Sequence, residues 1–306
     1  MNNLQTLIKN YLEYCDTQKR LNQKTLKAYR IDLAQFSEQI SFKSNSEITL
    51  EMLEDYIKIL HQYYKPKTVK RKIASIKAFF HYLEQKDKIQ VNPFKKIQVR
   101  FREPVILPKT IPLQTIETLL ATIYDKRCNA KTNYQRRNAL KDAAIIELLF
   151  ATGMRISELC SLKKSDINLH EGTVLIYGKG MKERCLQIGN NSVIDILIEY
   201  KNEFQSEIKN CMYFFPNKSG NALSDQSVRR MIRRYASFAS IDLHLTPHMF
   251  RHTFATSLLE ADVDIRYIQE MLGHSSINIT SIYTHVSISK QREILQTKHP
   301  RNSFKI

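Results

Sequence analysis

Four short segments of the sequence combine arginine, histidine, lysine and tyrosine in a way that suits chemistry on a phosphodiester. Residues 151–159 contain Arg155 and Glu158, residues 178–180 contain Lys179, residues 246–255 contain His248 and Arg251, and residues 272–285 contain His274 and Tyr283. Nucleophilic attack on a phosphodiester builds negative charge on the phosphate oxygens, which a catalyst must meet with preorganised cations or hydrogen-bond donors. Arginine suits this task because its planar guanidinium donates two hydrogen bonds to phosphate and stays protonated.

The residue types also suggest individual roles. Arg155 and Arg251 are candidate phosphate ligands, and His248 is the candidate base for a hydroxyl nucleophile. Lys179, in a glycine-rich turn, is the candidate acid that protonates the leaving oxygen. Glu158 lies one turn after Arg155 on a predicted helix and would orient that arginine or a histidine. The sequence has no carboxylate cluster with metal-ligand spacing and no GxxxxGK[ST] phosphate loop, so we expect neither a metal nor ATP as a cofactor.

Each segment, taken singly, also has an ordinary structural explanation. Arg155 could pair with a surface acid, and a Gly-Lys-Gly turn is most often only a hairpin turn. The sequence Leu-Gly-His at 272–274 is typical of a helix that ends at a glycine. Tyr283 is one of 15 tyrosines, most of which would pack in cores or lie at surfaces. The joint occurrence of all four segments in one chain is what favours catalysis.

Together the four segments resemble the active-site signature of the tyrosine recombinases, the phage integrase family. The resemblance rests on the His-x-x-Arg spacing of His248 and Arg251, the Leu-Gly-His-Ser box at 272–275, and Tyr283 nine residues after His274. The compact length is most similar to the XerC/XerD-like site-specific recombinases. The resemblance implies that Tyr283 is the nucleophile, that Lys179 rather than Lys182 is the acid, and that Glu158 occupies the family's acidic position.

The resemblance also implies an activity. A member of this family would cleave and rejoin duplex DNA through a 3′-phosphotyrosine intermediate and a Holliday junction, in chromosome dimer resolution or in the integration and excision of mobile elements. The expected partners are a duplex DNA recombination site and further protomers, as a homotetramer on DNA or a heterotetramer with a related recombinase. The tail after Tyr283 is expected to contact the neighbouring protomer.

Two other classes of protein remain as alternatives. A type IB topoisomerase would use the same chemistry without synapsis, and relaxation of plasmids without site dependence would support it. A catalytically silent DNA-binding regulator would keep the fold and form no covalent adduct. The compact N-terminal helical region disfavours the first alternative, and the full set of catalytic residue types disfavours the second.

The elements that must position these residues are mainly helices. Apolar residues recur at helical spacing in four segments of the first 100 residues, which predicts an all-α domain over residues 1–103. The proline-containing stretch at 99–114 predicts an extended linker. Residues 104–306 read as helices with a small β-sheet around the Gly-Lys-Gly turn, an α+β domain. By resemblance these are a four-helix, SAM-like core-binding domain and the catalytic domain, which would close as a clamp around duplex DNA.

The charge of the chain points to a polyanionic partner. It contains 47 Lys and Arg residues against 30 Asp and Glu, a formal net charge of +17. No apolar run approaches 18 residues and the N-terminus lacks the features of a signal peptide, so nucleic acid is favoured over a membrane. The basic residues predicted to contact DNA lie in three helical segments: Lys24, Lys27 and Arg30; Lys67, Lys70, Arg71, Lys72 and Lys77; and Arg229, Arg230 and Arg233. Five scattered cysteines without C-x-x-C spacing fit a cytoplasmic protein.

Overall fold

A computed structural model of the chain describes residues 3–41, 48–97, 109–177, 183–273 and 288–304. The chain forms two compact units, Met1–Ile106 and Leu107–Ile306. The described residues are mainly helical with one small sheet, which confirms the predicted fold class. Residue 103, near which the sequence predicts the domain boundary, lies outside the described residues, as does most of the predicted linker. None of the described helices is both long enough and apolar enough to cross a bilayer.

The N-terminal unit contains the four predicted helices. They are α1 (Asn3–Thr17), α2 (Gln23–Ser41), α3 (Leu50–Tyr63) and α4 (Pro66–Gln85), followed by a 3₁₀ turn at Pro93–Lys96. Helix α3 begins where the hydroxyl of Thr49 accepts a hydrogen bond from the Met52 amide, and Pro66 occupies the first turn of α4. The core is rich in aromatic rings, with Phe36 and Phe80 in edge-to-face contact.

The C-terminal unit surrounds one deeply buried helix. Its elements are α5 (Leu113–Cys128), α6 (Asn133–Thr152), α7 (Ile156–Cys160), β1 (Ile167–Asn168), β2 (Thr173–Tyr177), β3 (Glu183–Gln187), α8 (Asn191–Glu203), α9 (Gln205–Lys209), α10 (Asp225–Phe238), α11 (Pro247–Glu260), α12 (Ile265–Leu272) and α13 (Ile288–Lys298). Helix α6 is buried on all sides from Ala143 to Ala151, is apolar there apart from Glu147, and contacts α5, α8 and α11. A helix of this kind belongs at the centre of a domain, where every face is covered.

The sheet is antiparallel, in the order β1-β2-β3. Val174 of β2 pairs with Leu186 of β3, and both side chains are buried, as is Ile176 one step along the same face. The hairpin between β2 and β3 carries the Gly-Lys-Gly turn, of which residues 178–182 lie outside the described residues. The sheet therefore holds the two ends of that turn on a buried, well-packed base.

The C-terminal segment 288–304 packs on its own unit. Ile294 and Leu295 of α13 are buried, and a Cβ on Gly189 would come within 2.6–2.7 Å of the Leu295–Gln296 backbone. Beyond α13, the buried Arg301 guanidinium donates to both carboxylate oxygens of Glu147 on α6, each at 2.8 Å. The sequence-based expectation is that this tail contacts a neighbouring protomer. Within the single chain, the buried ion pair holds the end of this segment in place, and the contact with a neighbouring protomer stays a prediction.

Candidate active site

Arg155 stands at the junction between α6 and α7. Helix α6 ends at Gly153, whose φ of +60° favours glycine and where a Cβ would lie only 2.5 Å from the Phe254 ring, so no side chain fits. Arg155 is then the N-cap of α7, and its backbone amide donates to Glu158 Oε2 at 2.8 Å. Its guanidinium donates to Glu158 Oε1 at 2.8 Å and to the Gly273 carbonyl at 3.3 Å. The Arg155 side chain remains 35% exposed, so it can reach a ligand.

Arg251 lies on α11 and is buried, with 6% of its surface exposed. Its two terminal nitrogens donate to the carbonyl of Gly153 at 2.9 Å and to the carbonyl of Leu272 at 2.6 Å. Burial, and after it the charge of Arg155, lower the pKa of Arg251 to about 10, which still leaves the guanidinium protonated at neutral pH. Arg251 therefore fixes the end of α6 against the end of α12.

A third arginine, Arg184 on β3, belongs to the same cluster and is absent from the residues predicted from the sequence. Its two terminal nitrogens donate to Glu158 Oε1 at 3.0 Å and Oε2 at 2.7 Å, and its Nε donates to the Met271 carbonyl at 2.9 Å. A signal for it exists in the sequence. Strand alternation places Arg184 on the same face as Leu186, the buried face, where a charged residue needs a specific partner.

The three arginines converge on the C-terminus of α12. Met271, Leu272 and Gly273 present three successive carbonyls, which accept from Arg184, Arg251 and Arg155 respectively. The last carbonyls of a helix have no partner within the helix and carry its negative dipole end, so cations bind there favourably. Gly273 ends α12 in the left-handed conformation, with φ +62°. This three-arginine cap holds the chain at the residue immediately before His274.

The cluster carries an excess of positive charge. Among its described members, three guanidiniums surround one carboxylate, Glu158, which is buried. Burial alone would raise the pKa of Glu158, but hydrogen bonds from the Arg184 guanidinium and the Arg155 amide lower it below its ordinary value. Glu158 is therefore ionised at neutral pH, and the described cluster has a net charge of about +2. An anion with two or more oxygen acceptors would fit it.

His248 lies at the start of α11, one turn before Arg251, and is exposed. Partial burial, followed by the charges of Arg229, His252, Arg251 and Arg155, lowers the pKa of its imidazole from the ordinary value of 6.5. His248 is thus neutral at pH 7 and has a nitrogen lone pair that can accept a proton. Among the predicted DNA-contact residues, Arg229 of α10 is the one whose charge acts on this histidine.

The other predicted catalytic residues, Lys179, His274 and Tyr283, lie outside the described residues. The structure describes the residues that flank the first two. Tyr177 and Glu183 pair at the turn end of the β2–β3 hairpin, on either side of the segment that contains Lys179. Gly273 directly precedes His274 and is part of the three-arginine cap. Arg155, Glu158, His248 and Arg251 are therefore brought together, and the anchors of two further predicted residues are fixed.

The basic residues predicted to contact DNA separate into an exposed and an internal group. The exposed side chains are Lys24, Lys27 and Arg30 on α2, Lys67, Lys70 and Lys77 on α4, and Arg230 and Arg233 on α10. Arg229 is half-buried. Lys72 differs from the prediction, because its side chain is only 3% exposed and points into the helical core. Helix α4 turns its apolar face inward with Val69, Ile73 and Ile76, and Lys72 lies on that face.

Lys72 is buried because a carboxylate is buried with it. Its ammonium donates to Asp32 Oδ1 at 3.2 Å and to the Gln35 side chain, and lies 4.8 Å from the centre of the Tyr64 ring. The other oxygen of Asp32 accepts from Arg71 and from the Ser75 hydroxyl. Asp32 is fully buried, whereas the Arg71 side chain is 46% exposed. One internal carboxylate thus joins a buried lysine to an arginine at the surface.

Within the ranges that the structure describes, no group of three or more His, Cys, Asp or Glu side chains is placed to hold a metal ion. The described cluster consists instead of guanidiniums, one imidazole and one carboxylate. Such a set provides fixed hydrogen-bond donors and positive charge, together with one group that can accept a proton. These are the requirements for nucleophilic attack on a phosphate ester.

Sequence comparisons identify both units. The profile described as "Phage integrase family" matches residues 114–290, and the profile "Phage integrase, N-terminal SAM-like domain" matches residues 8–87. A protein from Agathobacter rectalis named "Tyrosine recombinase" is 70% identical over 304 residues, which cover 99% of each chain. "Tyrosine recombinase XerD" from Listeria monocytogenes is 33% identical, over 96% of this chain and 99% of that protein.

Solved structures show the same fold. The pre-cleavage complex of the XerH site-specific recombinase bound to difH substrate aligns with a TM-score of 0.73 and 24% identity, over 95% of each chain. A lambda integrase (75–356) dimer bound to a COC′ core site aligns with a TM-score of 0.67 and 16% identity, over 93% of this chain and 99% of that one.

Proposed function

The chain belongs to the phage integrase family and is a site-specific tyrosine recombinase, and from this premise we propose that Arg155 and Arg251 hold the scissile phosphate that Tyr283 attacks. The observation that carries the proposal is the charge of the cluster. The described cluster has three guanidiniums and one carboxylate, Glu158, which pairs with Arg155 and Arg184. A phosphodiester supplies one negative charge to this cluster, and attack on the phosphorus builds up a second. Charge that develops on the phosphate during attack is stabilised further by the same donors.

The reaction follows from the proposed roles. The Tyr283 hydroxyl gives its proton to His248 while its oxygen forms a bond to phosphorus. The bond from phosphorus to the 5′-oxygen breaks, and Lys179 protonates that oxygen as it leaves. His274 adds a hydrogen bond to the phosphate, and Glu158 holds Arg155 in place. The 3′-phosphotyrosine conserves the energy of the broken bond, so the reverse attack by a 5′-hydroxyl reseals DNA without ATP.

We also propose that the enzyme assembles as a tetramer on two DNA sites. A structurally similar lambda integrase is described as a tetramer bound to a Holliday junction, with a TM-score of 0.66 and 17% identity. The net charge of +17 and the exposed basic side chains on α2, α4 and α10 supply phosphate contacts. The proposal includes two possible compositions of the tetramer, four copies of this chain or a heterotetramer with a related recombinase. We propose that the enzyme acts in the cytoplasm. Its task would be chromosome dimer resolution or the integration and excision of mobile elements.

The test is to capture DNA that becomes covalently attached to the protein. The wild type and Tyr283→Phe are expressed in bacterial cells, protein–DNA adducts are isolated under denaturing conditions, and the attached ends are sequenced. The wild type should yield recurrent ends that define a site, and Tyr283→Phe should yield none while it still binds that site as duplex DNA. Tyr134→Phe, which changes a 62% exposed phenol on α6, is the matched control and should behave as wild type.

Two results would contradict parts of the proposal. An adduct that persists in Tyr283→Phe would show that another residue is the nucleophile. A wild-type protein that relaxes plasmids at many unrelated sequences, without exchanging strands between two copies of a site, would favour the type IB topoisomerase class. Joined products that carry ends from two different site-bearing molecules would support recombination.

A further inference from the structure

We propose that Arg184 is a positioning residue for the recombination reaction, acting through Glu158 on Arg155. The proposal rests on the proposed role of Arg155 as a phosphate ligand. Arg184 lies on β3 and donates to both oxygens of the Glu158 carboxylate, at 2.7 and 3.0 Å. Glu158 in turn accepts from the Arg155 guanidinium and from the Arg155 amide, both at 2.8 Å. One carboxylate therefore transmits the position of β3 to the arginine at the site.

The geometry leaves the Glu158 carboxylate little freedom. A carboxylate bound on both oxygens by a planar guanidinium is fixed in orientation as well as in distance. The Arg184 side chain is 11% exposed and that of Glu158 8%, so water competes weakly for these bonds. If Arg184 were absent, Glu158 could rotate about its own side-chain bonds and carry the Arg155 guanidinium with it.

Arg184 also contacts the C-terminus of α12, on the other side of the arginine cluster from α7. Its Nε donates to the Met271 carbonyl at 2.9 Å, two residues before the Gly273 carbonyl that accepts from Arg155. The guanidinium packs so closely on Gly273 that a Cβ there would lie 3.1 Å from its Cδ and from one terminal nitrogen. Arg184 thus contacts α7 and the end of α12 at once, and the same strand leads out of the turn that contains Lys179.

Charge alone does not explain the arrangement. Arg184 lies beside Arg155 and Arg251, and three cations around one carboxylate repel one another. A residue needed only to neutralise Glu158 would be redundant, since Arg155 already pairs with it. Arg184 instead makes three hydrogen bonds, two to the Glu158 carboxylate and one to the Met271 carbonyl, and these hold the carboxylate in a fixed orientation. Lysine could not make the same three bonds, because its ammonium is a point charge without the planar fork of a guanidinium.

The experiment measures binding and chemistry separately. The substrate is a nicked duplex that carries the site recovered by adduct capture, and the protein is the full chain at saturating concentration. Arg184→Ala should slow the single-turnover rate of covalent adduct formation by about 100-fold, because misplacement of a catalytic group by about 1 Å has an effect of that size. The dissociation constant for the same duplex should stay within about threefold of wild type. Arg184→Lys should lie between wild type and Arg184→Ala.

A matched control separates positioning from loss of stability. Arg137 on α6 also bridges two elements, pairing with Glu203 at 3.0 Å and Glu207 at 2.7 Å, and its side chain is 30% exposed. Arg137→Ala should lower the melting temperature by an amount similar to Arg184→Ala and leave the adduct rate unchanged. Equal losses of rate in the two variants would overturn the proposal, as would an Arg184→Lys protein that cleaves as fast as wild type.

A double-mutant cycle with Glu158 tests whether Arg184 acts on Arg155 through Glu158. Because Arg184 acts through Glu158, the rate of Arg184→Ala/Glu158→Gln should be no slower than that of the slower single variant. Fully multiplicative losses would show that Arg184 acts by another path and would overturn the proposal.

A second readout does not depend on cleavage. Side-chain ¹⁵N NMR of the arginines, with Arg155→Lys to assign the Arg155 signal, reports how well that guanidinium is ordered. In Arg184→Lys the Arg155 signal should broaden or shift and its response to added inorganic phosphate should weaken, whereas in Arg137→Ala both should match wild type. An unchanged Arg155 signal in Arg184→Lys would refute the positioning role, whereas a wild type that forms no DNA adduct would refute only the proposed function.

Discussion

The two units each contain a buried carboxylate that bridges two cations, one internal and one at the surface. In the N-terminal unit Asp32 joins the buried Lys72 to the half-exposed Arg71. In the C-terminal unit Glu158 joins the mostly buried Arg184 to the partly exposed Arg155. In both units a single acid pairs with a cation at the surface and with a second cation in the interior.

The difference lies in what else holds the outer cation. Among the described residues, Arg71 is seen to bond to Asp32, from one terminal nitrogen. Arg155 is held at its amide, at one terminal nitrogen by Glu158 and at the other by the Gly273 carbonyl. A cation that only binds DNA can tolerate some motion, because phosphate contacts are electrostatic and forgiving. A cation that stabilises a transition state must be fixed before the reaction begins.

The largest expected effect is on the rate of DNA cleavage and comes from a change in the three-arginine cap. Arg251→Lys keeps the positive charge but cannot donate to both the Gly153 and the Leu272 carbonyls while also facing phosphate. We expect the single-turnover rate of adduct formation to fall by about 100- to 1,000-fold, the range for the loss of one oxyanion donor. The dissociation constant for the recovered site should change by less than about tenfold. A rate near that of wild type would show that charge alone is sufficient there.

The second prediction exchanges each carboxylate for its amide. Asp32→Asn leaves the Lys72 ammonium buried beside a neutral group, which should lower the free energy of unfolding by about 3 kcal/mol or more. The loss should appear in hydrogen exchange of α2 and α4, while the cleavage rate of saturated protein stays near wild type. Glu158→Gln should show the reverse pattern, a large loss of rate with a smaller loss of stability. If both variants lost stability and cleavage rate to the same extent, the Asp32 and Glu158 ion-pair networks would not differ in function.

The smallest expected effect compares the two outer arginines. Arg71→Gln should weaken DNA binding uniformly across sequences and reduce the slope of log affinity against log salt by about 1, with no change in the rate of saturated protein. Arg155→Gln should slow cleavage strongly and change the salt slope no more than Arg71→Gln does. Titrations of the recovered site and of an unrelated duplex at several salt concentrations, followed by single-turnover assays, decide between these outcomes.

Much of this organisation is predictable from sequence. Apolar periodicity predicts the four N-terminal helices and most helices of the second unit, and the β-prone runs on either side of the Gly-Lys-Gly turn predict β2 and β3. The predicted grouping of Arg155, Glu158, His248 and Arg251 agrees with the contacts and electrostatic effects in the structure, although their catalytic roles stay predictions. Short elements such as α9 contain too few residues for a periodic signal, so the sequence does not predict them.

The errors concern side chains whose partners are distant in sequence. The basic residues around Lys72 in the sequence predict that it lies on the DNA-binding surface of the protein. The structure instead buries Lys72 against Asp32, 40 residues earlier. The partners of Arg184 are Glu158, 26 residues earlier, and Met271, 87 residues later. Strand alternation can place Arg184 on the buried face, but no local pattern identifies these partners. Helical and strand periodicities indicate the face on which a residue lies, and they do not indicate which partner packs against that face.

The three-arginine cap at the end of α12 has a consequence for when the enzyme becomes able to cut DNA. Arg155 and Gly273 are separated by 118 residues of chain, so their contact closes a long loop and cannot form before residue 273 has been synthesised. A ribosome that has released residues 1–250 has already made Arg155, Arg184 and the basic helices, but not the carbonyls that hold the arginines. We therefore expect a nascent chain to expose its basic helices to nucleic acid before the three-arginine cap can form.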